Sequence, residues 1–154
     1  CKEFGFLIYL FIFMKLIGAG IIAIEKESGK ILLGRRGLDG QDPNCWAPFG
    51  GTFDKKDIIP RTTAVREFIE ETKCSEKFLM EKEPFYICED NHVKFYSYIG
   101  IFEKIFIPTL NSENLEYGWF NIDLLPENLH PGSKELFENE YIKIRKYIKK
   151  IKTL

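Results

Sequence analysis

The stretch Gly50–Cys74 reads GGTFDKKDIIPRTTAVREFIEETKC, and the rest of the chain is best read outward from it. A glycine pair suggests a turn, a polar loop follows, and Pro60 opens a helix that runs to Lys73. Proline suits the first helical turn because its missing N–H would find no partner there anyway. Apolar residues at Val65, Phe68 and Ile69 recur at helical spacing. At roughly 100° per residue, Glu67, Glu70 and Glu71 share one face and the apolar trio shares the other. Three carboxylates within two turns repel one another by about 0.2–0.5 kcal/mol per close pair. A helix that needed only solubility would mix lysines among them. Hard divalent cations favour clustered carboxylate oxygens, and Mg²⁺ commonly takes one or two of them together with substrate phosphates.

This run resembles the Nudix box, the signature of the Nudix hydrolase family. Gly51 is followed by five residues and Asp57, then by eight more and Arg66-Glu67-Phe68-Ile69-Glu70-Glu71. The last six match the core of the family motif. Asp57 stands where the family pattern has Glu, and one extra residue falls in the loop before Pro60. Lys73-Cys74 replaces a Gly–apolar pair, so a lysine occupies the expected left-handed cap, at a cost in stability rather than chemistry. A solvated acidic helix face is the plain alternative.

The resemblance implies an α+β fold of Nudix type, an α/β/α sandwich around a mixed β-sheet. It implies hydrolysis of a pyrophosphate bond in a nucleoside diphosphate linked to some group X, with Mg²⁺, or Mn²⁺, as cofactor. Small size points to the antimutator-type nucleotide pyrophosphohydrolases, which cleave a nucleoside triphosphate to a monophosphate and pyrophosphate. Nucleotide sugars, ADP-ribose and dinucleoside polyphosphates are the alternative substrates, and a non-catalytic nucleotide sensor is the alternative role. Retention of all three helical glutamates argues against the sensor. An isomerase on the same fold would need a reactive cysteine, for which Cys45 is the candidate.

By the same resemblance, Glu70 and Glu71 are metal ligands and Glu67 is a ligand or general base. Gly50 aligns with a glycine whose carbonyl binds metal; a tight turn is its plain reading. Arg66 orients a glutamate, or simply pairs with Glu70 at i, i+4. Asp57 acts through water or is only a loop carboxylate. A late acidic residue before a Trp is a further family feature, and Glu113 and Glu116 both precede Trp119. Either would complete the metal site or serve as an auxiliary base. Arg35 and Arg36 end a strand as a basic pair suited to gripping phosphate, a task guanidinium performs bidentately. In the antimutator branch the second of such a pair touches substrate, which favours Arg36. Trp46 stacks near a base or belongs to the core.

Length and composition agree with a single globular domain. A chain of 154 residues with 45% hydrophobic residues and 14 Phe can bury a sizeable core. A net charge of −1 supplies no global field for nucleic acid, so the expected partner is a small nucleotide. Four cysteines without CxxC spacing and only two histidines argue against zinc and suit reduced thiols in the cytoplasm. Phe4–Met14 is apolar but too short to span a bilayer, and Leu16–Glu25 is needed as a strand, so no membrane partner is expected. Residues 1–13 are read as an extension before a domain over residues 14–154. An ordered extra strand and a secretion or anchoring segment are the alternatives.

Further strands are expected at Lys30–Arg35, Pro84–Glu89, Val93–Glu103 and Glu116–Phe120. The second and third of these form a hairpin around Asp90-Asn91-His92. Both faces of Val93–Glu103 are partly apolar, as for a strand covered on two sides. Ser133–Ile151 is read as one closing helix. Its basic end, Lys149-Lys150-Ile151-Lys152, is read as a solvated face, with a membrane or an acidic partner as the alternative.

Overall fold

The structure, a computed structural model, describes residues 15–154; the expected extension over residues 1–13 lies outside them. Strand β1 (Leu16–Glu25) pairs in parallel with β7 (Val93–Phe102) along its whole length, from Leu16↔Val93 to Glu25↔Phe102. Its other edge is shared. The first half pairs with β4 (Phe49–Thr52), while Ile24 pairs with Ile31 of β2 (Ile31–Arg36). Beyond β2 lie β3 (Trp46–Ala47) and β8 (Asn114–Phe120); beyond β7 lie β5 (Phe78–Met80) and β6 (Tyr86–Glu89). One parallel pair among antiparallel ones makes the sheet mixed, as expected.

Alternation along β1 builds two cores, because successive side chains point to opposite faces. Ile22 and Ile24 pack with Ile99 and Ile101 beneath two helices, α2 (Pro131–Asn139) and α3 (Tyr141–Ile151). Ala19, Ile21 and Ala23 pack with Tyr98 and Phe102 beneath α1 (Pro60–Thr72), through its Ala64 and Phe68. Helices on both faces complete an α/β/α sandwich.

Three expectations need correction. The closing helix is two helices, broken at Glu140 with φ −107° and ψ 13°. Apolar spacing runs through the break in phase, so the pattern carries no sign of it; Asn139 reaches the Tyr86 hydroxyl there instead. The glycine pair is not a turn. Gly50 lies inside β4 opposite Gly20, where an added Cβ would fall 2.6 Å from Gly20 Cα, so close strand approach rather than backbone twist demands glycine. Helix α1 is also rolled from the expected orientation. Glu71 is buried and Ile69 is 43% exposed, so the buried line runs between the acidic and apolar stripes. The small residues of β4 let the edge of the acidic stripe sink onto the sheet.

Lys73 caps α1 with φ 53°, its N–H reaching the Ile69 carbonyl. A side chain in this left-handed conformation is disfavoured relative to glycine. Lys73→Gly is therefore expected to stabilise the fold by about 0.5–1 kcal/mol, read as a higher midpoint in urea unfolding.

Candidate active site

The loop before α1 is organised by carboxylates. Asp54 and Asp57 cap a 3-10 turn (Lys55–Asp57) reciprocally, with Asp54 accepting from Lys56 N–H and Asp57 accepting from Asp54 N–H at 3.0 Å. Asp57 is only 4% exposed. It accepts from Arg66 Nε at 2.8 Å and Arg66 Nη2 at 2.9 Å, and from the Thr63 hydroxyl at 2.8 Å. The bidentate guanidinium, with help from the Asp54 N–H and Thr63, holds the Asp57 carboxyl far below the usual carboxylate range. Asp57 is thus no idle loop acid.

Arg66 spends its remaining donors on the neighbouring chain. Nη1 reaches Glu67 Oε1 at 2.8 Å and Glu70 Oε2 at 3.2 Å, and Nη2 reaches the Thr52 carbonyl at 3.1 Å. The arginine therefore ties loop, strand and helix together and fixes one oxygen of Glu67. Its i, i+4 pair with Glu70 is real but is the longest of its carboxylate contacts.

Glu67 and Glu71 lie against the glycines of β4. A Cβ on Gly51 would fall 2.4 Å from the Glu67 carboxylate carbon, so the missing side chain is the space that the carboxylate occupies. Gly50 N–H donates to Glu71 Oε2 at 3.1 Å. Burial pushes the Glu71 carboxyl up to about 8, with the Glu113 carboxylate beside it and then Glu67 adding to the shift. Burial also raises Glu67, with Arg66 opposing and Glu70 and Glu113 reinforcing. Glu113 is positioned by its own loop: its N–H reaches Asn111 Oδ1 at 3.1 Å and its carbonyl accepts from Gly37 N–H at 2.8 Å.

The structure thus gathers Gly50, Arg66, Glu67, Glu70, Glu71 and Glu113 in one region. It does not bring Glu116 there. Glu116 sits opposite Arg35 in the β2–β8 ladder and pairs with its Nε at 3.1 Å. Alternation places that pair on the α2–α3 side of the sheet, because Leu32 and Trp119 belong to the α1-side core and Leu33 to the other. Arg35 also donates to Asn44. Arg36, beyond a bulge in the same ladder, makes no ion pair among the described residues. Trp46 is half-buried against the α2–α3 core and packs edge-on against Phe120 at 5.1 Å. Cys45 neighbours Asn128 rather than the glutamates. The partnership of Arg66 with Asp57, and the Gly51 cradle, do not follow from the motif; an acid in the loop and an arginine nine residues later on the helix are the available signal.

Among the described residues no three acidic, histidine or cysteine side chains already form a closed metal cage. The donor set still fits a hard divalent cation. Its oxygen ligands are carboxylates held near backbone, and burial raises two of them, Glu67 and Glu71. Mg²⁺ needs only one or two carboxylates when a substrate supplies phosphate oxygens.

Glu71 holds its proton more tightly in the folded chain, at about 8, than an unfolded glutamate does. The resulting stability is complete below the unfolded value, about 4.3, and is lost as pH rises through the folded value. With a chelator present, the thermal midpoint is expected to fall from about pH 5 to about pH 8, and Glu71→Gln to flatten that slope. A flat wild-type profile would mean that Glu71 ionises freely.

Comparison with known proteins shows the family and the fold. A family model described as the NUDIX domain matches residues 14–139. No curated protein matches the sequence. Among solved structures, the chain resembles a MutT protein from Methanosarcina mazei at 21% identity and TM-score 0.66, covering 84% of this chain and 94% of that one. It resembles a Nudix hydrolase from M. smegmatis at 18% identity and TM-score 0.69, covering 87% of each. A C. elegans Ap4A hydrolase aligns at 16% identity and TM-score 0.68, over 85% of this chain and 98% of that one. These likenesses establish the fold.

Proposed function

The chain belongs to the Nudix family of hydrolases that act on pyrophosphate bonds, and we propose that it cleaves a nucleoside triphosphate to a monophosphate and pyrophosphate with Mg²⁺. The observation that carries this reading is the pair Glu67 and Glu71, sunk against the Gly50–Gly51 backbone with Glu113 alongside. Glu71 and Glu70, with the Gly50 carbonyl, would hold the cation, and Glu113 would complete the set in preference to Glu116. When bound, the cation would neutralise phosphate charge and lower the pKa of a water.

Glu67 is the base. Arg66 occupies one of its oxygens, leaving the other to accept a proton from water. Its raised pKa brings it closer to the range where a general base is effective. The water oxygen joins one phosphorus of the anhydride, the bridging P–O bond breaks, and pyrophosphate departs. Arg66 acts through Glu67 and Glu70 as a positioning residue. Among the described residues Arg36, unlike Arg35, has no carboxylate partner to release before gripping phosphate. We also assign the enzyme to the cytoplasm, since Cys45, Cys74 and Cys88 are free thiols of a kind that a reducing compartment preserves.

The test is phosphate or pyrophosphate release from a panel of nucleoside triphosphates, nucleotide sugars, ADP-ribose and dinucleoside polyphosphates, with Mg²⁺. Glu67→Gln and Glu71→Gln are each expected to lower kcat by roughly 10²–10⁴ while the protein stays folded. Gly51→Ala is expected to displace the Glu67 carboxylate, and so lower kcat with little change in thermal midpoint. Full activity in both Gln variants would remove the site assignment. Turnover confined to a dinucleoside polyphosphate would replace the substrate class and leave the site.

A further inference from the structure

Helix α3 has two unlike sides. Ile144, Ile148 and Ile151 are buried and close the core. The outward side carries Lys143, Arg145, Lys146, Lys149, Lys150 and Lys152, all exposed, with no acidic residue among positions 143–152. The chain as a whole has a net charge of −1, so this is a local concentration and not part of a general basic character. The acids nearby are already engaged. Asp123 accepts from the Tyr141 hydroxyl and lies 3.7 Å from Arg145, while buried Glu25 accepts from Ser28 and from Glu27 N–H. Lys146, Lys149, Lys150 and Lys152 make no ion pair among the described residues.

A groove of about 490 Å³ runs beside these cations, between the Ser28–Gly29 turn, the Asn121–Asp123 turn and the Arg145, Lys149 and Lys152 side of α3. Exposed aliphatic residues frame the same surface. Ile142 is 66% exposed and shares a helical row with Lys146 and Lys149, and Leu154 is 74% exposed. Leu124, 76% exposed, follows Asp123 at the groove. This combination distinguishes between polyanions. Nucleic-acid surfaces pair cations with aromatic stacking platforms, whereas Tyr141 and Tyr147 are half-buried with their hydroxyls held by Asp123 and Glu81. Lysines with exposed aliphatic side chains on an amphipathic helix suit an anionic bilayer surface, where charge attracts and small apolar groups enter the headgroup layer.

We propose that the outer face of α3, with the groove beside it, docks the protein onto membranes rich in anionic phospholipid. The contact is peripheral, and no described helix is long and apolar enough to cross a membrane. The docking face lies across the sheet from α1, so it does not depend on the hydrolase assignment and leaves the glutamate cluster free.

The test uses the full chain and sedimentation with vesicles of phosphatidylcholine alone or with added phosphatidylserine. Wild type is expected to bind only the phosphatidylserine vesicles, less tightly as salt rises. Lys146→Gln/Lys149→Gln/Lys150→Gln is expected to bind them roughly 100-fold more weakly, with thermal midpoint and nucleotide hydrolysis unchanged. Ile142→Ser/Leu154→Ser is expected to weaken binding further at high salt, where the apolar contact remains. Equal binding to both vesicle types would overturn the proposal. So would undiminished binding of the triple variant, which would place the contact elsewhere in the chain. Tighter binding to single-stranded RNA than to phosphatidylserine vesicles would also overturn it, in favour of a nucleic-acid surface.

Discussion

The active-site region depends on one ion pair. Arg66 meets both oxygens of Asp57 and reaches the Thr52 carbonyl, Glu67 and Glu70 with its other N–H groups. A planar guanidinium with five donors can tie three chain segments at fixed angles, which a lysine cannot. Burying such a pair returns little net stability, because both charges must be desolvated. Its return is geometric. The pair sets how α1 sits on β4, and therefore where the Glu67 carboxylate stands over Gly51.

That constraint also explains how the chain accommodates its departures from the family motif. Asp57 is one methylene shorter than the Glu of the pattern, and the loop after it is one residue longer. The added length appears as a γ-turn at Ile58, with φ 68° and ψ −49°, closed by Ile59 N–H on the Asp57 carbonyl at 2.7 Å. A β-branched residue at positive φ is disfavoured by about 1–3 kcal/mol. The side chain itself is 82% exposed and contributes little packing in return. The conformation keeps Asp57 on Arg66 despite the extra residue, so local strain is set against the position of α1.

The glutamates present the opposite electrostatic situation. Asp57 has its countercharge and is lowered, whereas Glu71 lacks one and is raised. Asp57 and Glu71 are thus driven in opposite directions, the one by the Arg66 guanidinium and the other by burial beside Glu113. A buried carboxyl raised in this way lowers stability at neutral pH.

Local pattern was enough to define β1, helix α1 with its proline start and lysine cap, the hairpin at Asp90–His92, and the mixed sheet covered on both faces. Each follows from periodicity or from the backbone limits of Pro and Gly, which act between residues close in sequence. The motif likewise singles out Glu67, Glu70 and Glu71. Three features were decided only by tertiary structure. The break at Glu140 interrupts an apolar period that continues in phase on both sides. The roll of α1 follows from the glycines of β1 and β4, which let Glu67 and Glu71 descend where side chains would have lifted them. The separation of Glu113 from Glu116 depends on where β8 begins: register sets Glu116 opposite Arg35, whereas Glu113 precedes the strand and is placed by its own loop. Spacing along a chain specifies which groups are available, but only packing between distant segments determines which of them meet.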